Sequence, residues 1–116
     1  MTNVTVSYKN DSIVSLEADG HTGFADQGED IVCAAISVLM QTAVNSLEAV
    51  AGIKQFVLDV DETSGYMYIE LPANVDETNA LKAEIVLNTV LTGLQGIAKA
   101  YPKYMRLLKK GGANIQ

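Results

Sequence analysis

The only histidine and the only cysteine of the chain, His21 and Cys33, lie in one short segment. A cysteine thiolate is a nucleophile, and a neighbouring histidine can accept the thiol proton and later donate it to a departing amine. These two residue types therefore suit a cysteine protease. A buried core cysteine and an ordinary hydrogen-bonded histidine would look the same in a sequence, so spacing alone leaves both interpretations open.

The histidine is followed by a predicted loop and then by a predicted helix. Gly20 ends the second predicted strand. Gly23 and Gly28 follow in a stretch without periodicity, where they either form ordinary turns or flank a segment that could close over an extended peptide. From Asp30 to about residue 51, apolar residues recur every three to four positions, which predicts a helix. Asp30 is a favourable N-cap, and it could also orient the histidine.

Cys33 would then be the third residue of that helix. The unpaired amides and the positive end of the helix dipole stabilise negative charge there, and so favour a thiolate. The same amides are candidates for an oxyanion hole. Ser37 shares the helical face of Cys33 and could hydrogen-bond either the site or the Cys33 carbonyl.

Period-two patterns predict strands on both sides of this helix. We expect two hairpins and a second helix, over residues 3–8 with 13–18, residues 54–60 with 66–71, and residues 76–99. In the second strand, Val14, Leu16 and Ala18 should share one face. Gly93 and Gly96 lie inside the second helix, where glycine is costly, which suggests close packing at both.

The segment after Pro102 is compatible with either a last strand or a continuing helix. The order of elements predicts an α+β fold with two layers, a largely antiparallel sheet with two helices on one face. A chain of 116 residues fits one domain, which we place at 1–110, followed by a flexible tail at 111–116.

Charge and composition restrict the partners. The net charge of −6 argues against nucleic-acid binding, which needs a basic face, and favours basic partners. We see neither a signal peptide nor an apolar run long enough to span a bilayer, and a single cysteine cannot form an internal disulfide. These features predict a cytoplasmic protein.

No metal or cofactor is expected. Residues 59–70, "DVDETSGYMYIE", have carboxylates at offsets like those of a calcium loop, but the required glycine comes one place late, at Gly65. The flanks are predicted strands, so we interpret the segment as a solvated hairpin turn. One cysteine and one histidine are too few for a structural zinc site, and the glycine-rich loop lacks the lysine of a phosphate loop.

The stretch "GHTGFADQGEDIVCAAISVLMQTAVNSLE" resembles the signature of the ribosomal-processing cysteine protease family, and "GLQGIAKAYPKYM" is similar to its C-terminal pattern. The resemblance implies a small cytoplasmic bacterial protease, usually a homodimer. It also implies that the substrate is the N-terminal extension of ribosomal protein L twenty-seven, removed after a pair of aromatic residues. Carried over by position, Cys33 is the nucleophile and His21 is the base and acid.

A second function stays open at this point. The chain could be a noncatalytic, ribosome-associated or basic-protein binding module in which Cys33 is only a buried helix residue. Thiol reactivity separates the two, because the protease predicts fast alkylation of Cys33 at neutral pH and the binding module predicts an inert thiol.

Overall fold

A computed structural model describes residues 1–26 and 30–111. It contains five strands and two helices: β1 Thr2–Lys9, β2 Ser12–Asp19, α1 Ile31–Ala49, β3 Val57–Asp61, β4 Tyr66–Glu70, α2 Glu77–Ala100 and β5 Met105–Gly111. The predicted α+β class and the order of elements are confirmed. Apart from its first residue, which ends β5, the predicted tail at 111–116 lies outside the described residues.

The five strands form one open sheet in the order β3-β4-β2-β1-β5. All neighbours are antiparallel except β1 and β5, which pair in parallel from Thr2 opposite Met105 to Tyr8 opposite Gly111. The segment after Pro102 is therefore a strand. It can lie parallel to β1 because α2 returns the chain along the sheet before β5 begins.

The core lies between the sheet and the two helices. Val4, Val6, Leu16 and Ile69 from the sheet are almost completely buried, and they belong to one cluster with buried residues of both helices. α1 and α2 contact each other over this cluster. The predicted two-layer arrangement follows, since both helices and the strands β1, β2 and β4 bury apolar residues in this cluster.

The prediction for β2 was wrong in one detail. Leu16 and Ala18 are buried as expected, but Ile13 rather than Val14 joins them, at 1% exposure. The cause is an irregularity in the pairing of β1 and β2, which places Tyr8 opposite Ile13. An extra residue at such a bulge changes which side chains face the core, and alternation in one strand does not reveal it.

α1 begins and ends close to its predicted limits. Its buried residues recur on one face: Val32, Ile36, Met40, Ala43 and Leu47. Beyond its end, Gly52 has a φ of +70°, a conformation that glycine adopts readily after a helix. The prediction that no apolar run could span a bilayer was wrong for this helix, because its 19 residues have a mean hydropathy of 1.5. A core helix passes the same test of length and composition.

α2 is capped by Asp76, whose side chain accepts a hydrogen bond from the Asn79 amide. Close packing at its two glycines is confirmed for Gly93 only. A Cβ at Gly93 would lie 2.9 Å from Cδ1 of Leu39 in α1, whereas a Cβ at Gly96 would meet no atom within 4 Å. α1 and α2 therefore approach each other closely at Gly93, whereas Gly96 is exposed.

The pairing of β2 with β4 brings the end of one strand to the start of the other. Asp19 is opposite Tyr66, and the pairing continues where the Gly20 amide donates to the Gly65 carbonyl at 3.0 Å. The loop that leaves β2 therefore starts beside the turn between β3 and β4. α1 begins just after that loop, so three elements meet at this corner of the sheet.

Candidate active site

Cys33 is the third residue of α1, as the sequence predicted. Its thiol is free and half-buried, so its sulfur is neither sealed in the core nor fully in solvent. The start of a helix concentrates amide groups and positive potential around such a residue. The position is chemically suited to a thiolate.

Asp30 is the N-cap of α1, which confirms that prediction. Its Oδ1 accepts from the Cys33 amide at 2.9 Å, and its backbone carbonyl accepts from the Ala34 amide at 3.0 Å. Its Oδ2 accepts from the Thr22 hydroxyl and, at 3.1 Å, from the Phe24 amide. The carboxylate therefore joins the start of the helix to the loop after β2.

The environment of Asp30 changes its acidity. Burial opposes the charged form, but the hydrogen bonds from Thr22, Cys33 and the loop amides outweigh it and hold the pKa of this carboxyl below its usual range. Asp30 is only 8% exposed and Thr22 only 2%, so their hydrogen bond is shielded from water. The carboxylate is an anionic structural tie at neutral pH.

The amides at the start of α1 are only partly available for an oxyanion. Those of Cys33 and Ala34 already donate to Asp30. An amide engaged in this way cannot also bind a developing negative charge without breaking its bond to the cap. Of the amides at the start of α1, those of Ile31 and Val32 do not make these bonds to Asp30, and the oxyanion role stays a prediction.

His21 lies on the loop directly after β2, and its side chain is exposed. Its Nε2 is 3.0 Å from the carbonyl oxygen of Thr63, in the turn between β3 and β4. Asp30, which we considered as an orienting group, instead bonds to Thr22, the residue next to His21. Among the described contacts, the ring of His21 is thus oriented by Thr63.

His21 and Cys33 line the same cleft, which has a volume of about 540 Å³. One wall is α1, with Cys33 and Ser37; the facing wall is the end of the β3–β4 hairpin, with Asp61 and Gly65. The structure therefore places the two residues that the sequence singled out in the lining of one cleft.

The other predicted site residues have distinct places. Gly20 lines the cleft, and its φ of +96° and a Met1 carbonyl oxygen 2.9 Å from its missing Cβ explain why glycine stands there. Gly23 has a φ of +77° in the loop. Ser37 lines the cleft and accepts a hydrogen bond from Gln41 at 2.9 Å. Gly28 lies outside the described residues.

Two features of the site were not predicted. The ring of Phe24 makes edge contacts with Tyr101 and Tyr104, at centroid distances of 5.7 and 5.2 Å, and so ties the loop to the end of α2. The turn at 61–65, interpreted from sequence as merely solvated, contacts His21. Tyr101 and Tyr104 belong to the C-terminal pattern that resembles the family, and only this pattern pointed to them in the sequence. No local sequence pattern predicted the contact between the turn and His21.

Over residues 1–26 and 30–111, no group of three or more histidine, cysteine, aspartate or glutamate side chains is arranged to hold a metal ion. The groups that line the cleft are a thiol, an imidazole, hydroxyls, carboxylates, the Gln41 carboxamide and apolar side chains. This set can perform nucleophilic and acid–base chemistry with the side chains that are present.

Comparison with known proteins relates this chain to one family of cysteine proteases. Residues 1–106 match the sequence profile of a family described as cysteine protease Prp. A relative from Bacillus subtilis, described as ribosomal processing cysteine protease Prp, is 34% identical over 95 residues, which cover 82% of this chain and 84% of the relative.

Two solved structures of the ribosomal processing protease Prp from Staphylococcus aureus are also similar. The one in complex with a covalently linked product peptide has a TM-score of 0.83 and 27% identity, and the one in complex with a substrate peptide has a TM-score of 0.78 and 26% identity. In both cases the match covers 95% of this chain and 100% of the other.

Proposed function

The chain belongs to the Prp family of cysteine proteases, and we propose that it removes the N-terminal extension of ribosomal protein L twenty-seven, using Cys33 as nucleophile and His21 as base and acid. The observation that carries the proposal is that these two residues, the only ones of their types in the chain, line one cleft. Membership of a protease family argues against the noncatalytic binding module.

The proposed reaction begins with proton transfer from the Cys33 thiol to His21. The thiolate, stabilised by the start of α1, attacks the carbonyl carbon of the scissile peptide bond. The positive end of the α1 dipole stabilises the resulting oxyanion. The imidazolium then donates its proton to the departing amine, and water hydrolyses the acyl-enzyme with His21 again acting as base.

The lining of the cleft supports a substrate with aromatic residues before the cleaved bond. Ile36, Met40 and Met67 give it apolar surface, and methionine adapts its shape to aromatic rings. Asp61 and Glu62 add negative charge to the lining, which suits a basic ribosomal protein, as does the net charge of −6. The relatives described as ribosomal processing proteases support the same substrate class.

We also propose that the protein acts in the cytoplasm as a homodimer, without a cofactor and without direct binding to nucleic acid or membrane. The edge strand β3 supports the homodimer, because Val57, Leu58 and Val60 are each almost half exposed although they are apolar. Such side chains on a sheet edge favour pairing with another chain. Sedimentation at several protein concentrations tests the association, and a monomer at every concentration contradicts it.

The cleavage experiment uses a peptide that spans a ribosomal N-terminal extension with its paired aromatic residues. It is incubated with the intact protein, with Cys33→Ala and with His21→Ala, and the products are identified by mass spectrometry. We expect one cut after the aromatic pair with the intact protein and none with Cys33→Ala. A peptide with both aromatics replaced by alanine is the matched substrate control.

Thiol alkylation provides a second readout that needs no substrate. Because Cys33 is the only cysteine, the rate of modification reports this residue alone. We expect fast alkylation of the folded protein at pH 7, slowed by His21→Ala. Cleavage that persists in Cys33→Ala, or a thiol that reacts only after unfolding, would refute the proposed mechanism.

A further inference from the structure

The turn formed by residues 61–65, here called the 61–65 turn, contacts His21 through a backbone carbonyl. The Thr63 oxygen lies 3.0 Å from Nε2 of the ring. A carbonyl oxygen can only accept a hydrogen bond, so Nε2 must carry the proton that is donated. A neutral imidazole has one N–H group, and this contact therefore leaves Nδ1 with its lone pair.

Gly65 makes the second contact between this turn and His21. A Cβ at Gly65 would lie 3.0 Å from both Cε1 and Nδ1 of the ring and 3.2 Å from the Gly20 carbonyl carbon. Its φ of +68° also favours glycine. The Cε1 and Nδ1 atoms of the ring thus lie where a side chain at residue 65 would be, and glycine leaves that space to them, while Nε2 is held by Thr63.

Asp61 holds the turn in the shape that presents the Thr63 carbonyl. Its Oδ1 accepts from the Thr63 amide at 3.0 Å and from the Ser64 amide at 3.4 Å. An aspartate that bonds to amides two and three residues later stabilises a tight turn. Asp61 therefore acts on His21 through the turn, and no direct bond between the two side chains is needed.

We propose that the 61–65 turn is the positioning element of His21. The Thr63 carbonyl fixes the ring proton on Nε2, and Gly65 leaves room for the ring. Nδ1 is therefore the nitrogen that takes the Cys33 proton. This inference rests on the proposed function, because it takes His21 and Cys33 as the reacting pair. The thiol proton moves to Nδ1, the Nε2 proton stays bonded to Thr63, and the Nδ1 proton is later given to the departing amine. Asp61 and Gly65 are positioning residues in this scheme.

The kinetic test compares two substitutions of Asp61 and a matched pair of glycines. Asp61→Ala loses the acceptor for the turn amides, whereas the side-chain oxygen of Asp61→Asn can still accept. Gly65→Ala places a Cβ against the ring, and Gly52→Ala introduces a similar positive-φ strain after α1, away from the cleft. We expect kcat on the aromatic-pair peptide to fall about tenfold or more in Asp61→Ala and Gly65→Ala, with smaller changes in KM.

Asp61→Asn should restore most of kcat, and Gly52→Ala should leave it unchanged. Thermal unfolding of all four variants shows whether a loss of activity is only a loss of folded protein. If Gly65→Ala does not fold, the two Asp61 variants still decide. Equal losses in Asp61→Ala and Asp61→Asn would overturn the proposal, because the charge rather than the turn would then be responsible.

A spectroscopic test does not depend on cleavage. His21 is the only histidine, so nitrogen NMR of histidine-labelled protein observes one ring. The neutral ring should carry its proton on Nε2 in the intact protein, and the two nitrogen signals should move toward each other in Asp61→Ala and Gly65→Ala as the second tautomer becomes populated. A proton on Nδ1 in the intact protein would overturn the proposal.

The two proposals can fail separately. If Cys33→Ala and His21→Ala abolish cleavage while Asp61→Ala and Gly65→Ala cleave as fast as the intact protein, the proposed function stands and the positioning role is refuted. If the intact protein cuts no peptide, the proposed function fails, and the tautomer measurement alone decides whether the turn orients His21.

Discussion

The Asp30 carboxylate joins the loop that carries His21 to the helix that carries Cys33. Its removal should destabilise both the loop and the start of the helix. The substitution Asp30→Ala removes the acceptor of the Cys33 amide, the Thr22 hydroxyl and the Phe24 amide in one step. The first of these bonds caps α1. The other two hold the loop beside the start of that helix.

The size of the effect follows from the groups that lose a partner. Replacement of an aspartate N-cap by alanine costs about 0.5–2 kcal/mol. Thr22 is only 2% exposed, and a buried hydroxyl left without an acceptor costs about 1–3 kcal/mol. Because both losses arise at one carboxylate and are not strictly additive, we expect a total of about 2–4 kcal/mol, which would lower the unfolding temperature by about 8–16 °C.

Urea unfolding at pH 7, followed by circular dichroism, measures this loss. Asp30→Asn is the matched control, because asparagine is also a good N-cap and keeps one acceptor oxygen, so it should lose markedly less than Asp30→Ala. If Asp30→Ala unfolds at the same urea concentration as the intact protein, then the carboxylate is not the structural tie that its hydrogen bonds indicate.

The pH dependence gives a further check on the same residue. The pKa of Asp30 is lowered in the folded protein, so its charged form contributes stability above the unfolded pKa of about 4 and loses it as the pH falls through the folded value. The stability difference between the intact protein and Asp30→Asn should therefore narrow as the pH is lowered below about 4. A difference that stays constant down to pH 3 would contradict the assigned direction of the shift.

Contacts at Gly93, Tyr66 and Phe24 can each be tested by a single substitution. Gly96→Ala should raise the free energy of unfolding by about 0.5–1 kcal/mol. Gly93→Ala should not raise it, because its Cβ would lie 2.9 Å from a side chain of α1. Equal unfolding midpoints for the two variants would count against this packing. The hydrogen bond to Glu17, together with burial, raises the pKa of Tyr66 to about 12. In Glu17→Gln, ultraviolet titration should show that the pKa of Tyr66 falls toward 10. An unchanged pKa would show that this hydrogen bond is absent in solution. Phe24→Leu removes two edge contacts of about 0.5–1.5 kcal/mol each, so limited proteolysis should cut the loop faster; an unchanged rate would show that the two tyrosines do not hold it.

The elements that sequence predicted well are those specified by nearby residues. Periodicity identified both helices and the four strands of the hairpins, and the capping role of Asp30 followed from its place before an apolar repeat. The fate of the segment after Pro102 was not decidable in this way. It becomes a strand because β1 offers it a parallel partner about a hundred residues earlier in the chain.

The candidate site shows the same division between local and long-range information. Cys33 occupies its position because Asp30, three residues before it, starts a helix. His21 instead takes its orientation from Thr63, forty-two residues later, and that contact exists only because β2 pairs with β4. No local pattern in the sequence marks the 61–65 turn as a partner of the histidine.

The two halves of the candidate site, His21 with the 61–65 turn and Cys33 with the start of α1, should respond differently to partial unfolding. Opening of the β3–β4 hairpin would release the ring of His21 from Thr63 and Gly65, yet it would leave the cap and the first turn of α1 intact. β3 is an edge strand with all five residues exposed, and such segments open at a lower free energy than the core. As denaturant is added, the orientation of His21 should therefore be lost before the position of Cys33. The reason is that only Cys33 is held by contacts within one short segment of chain.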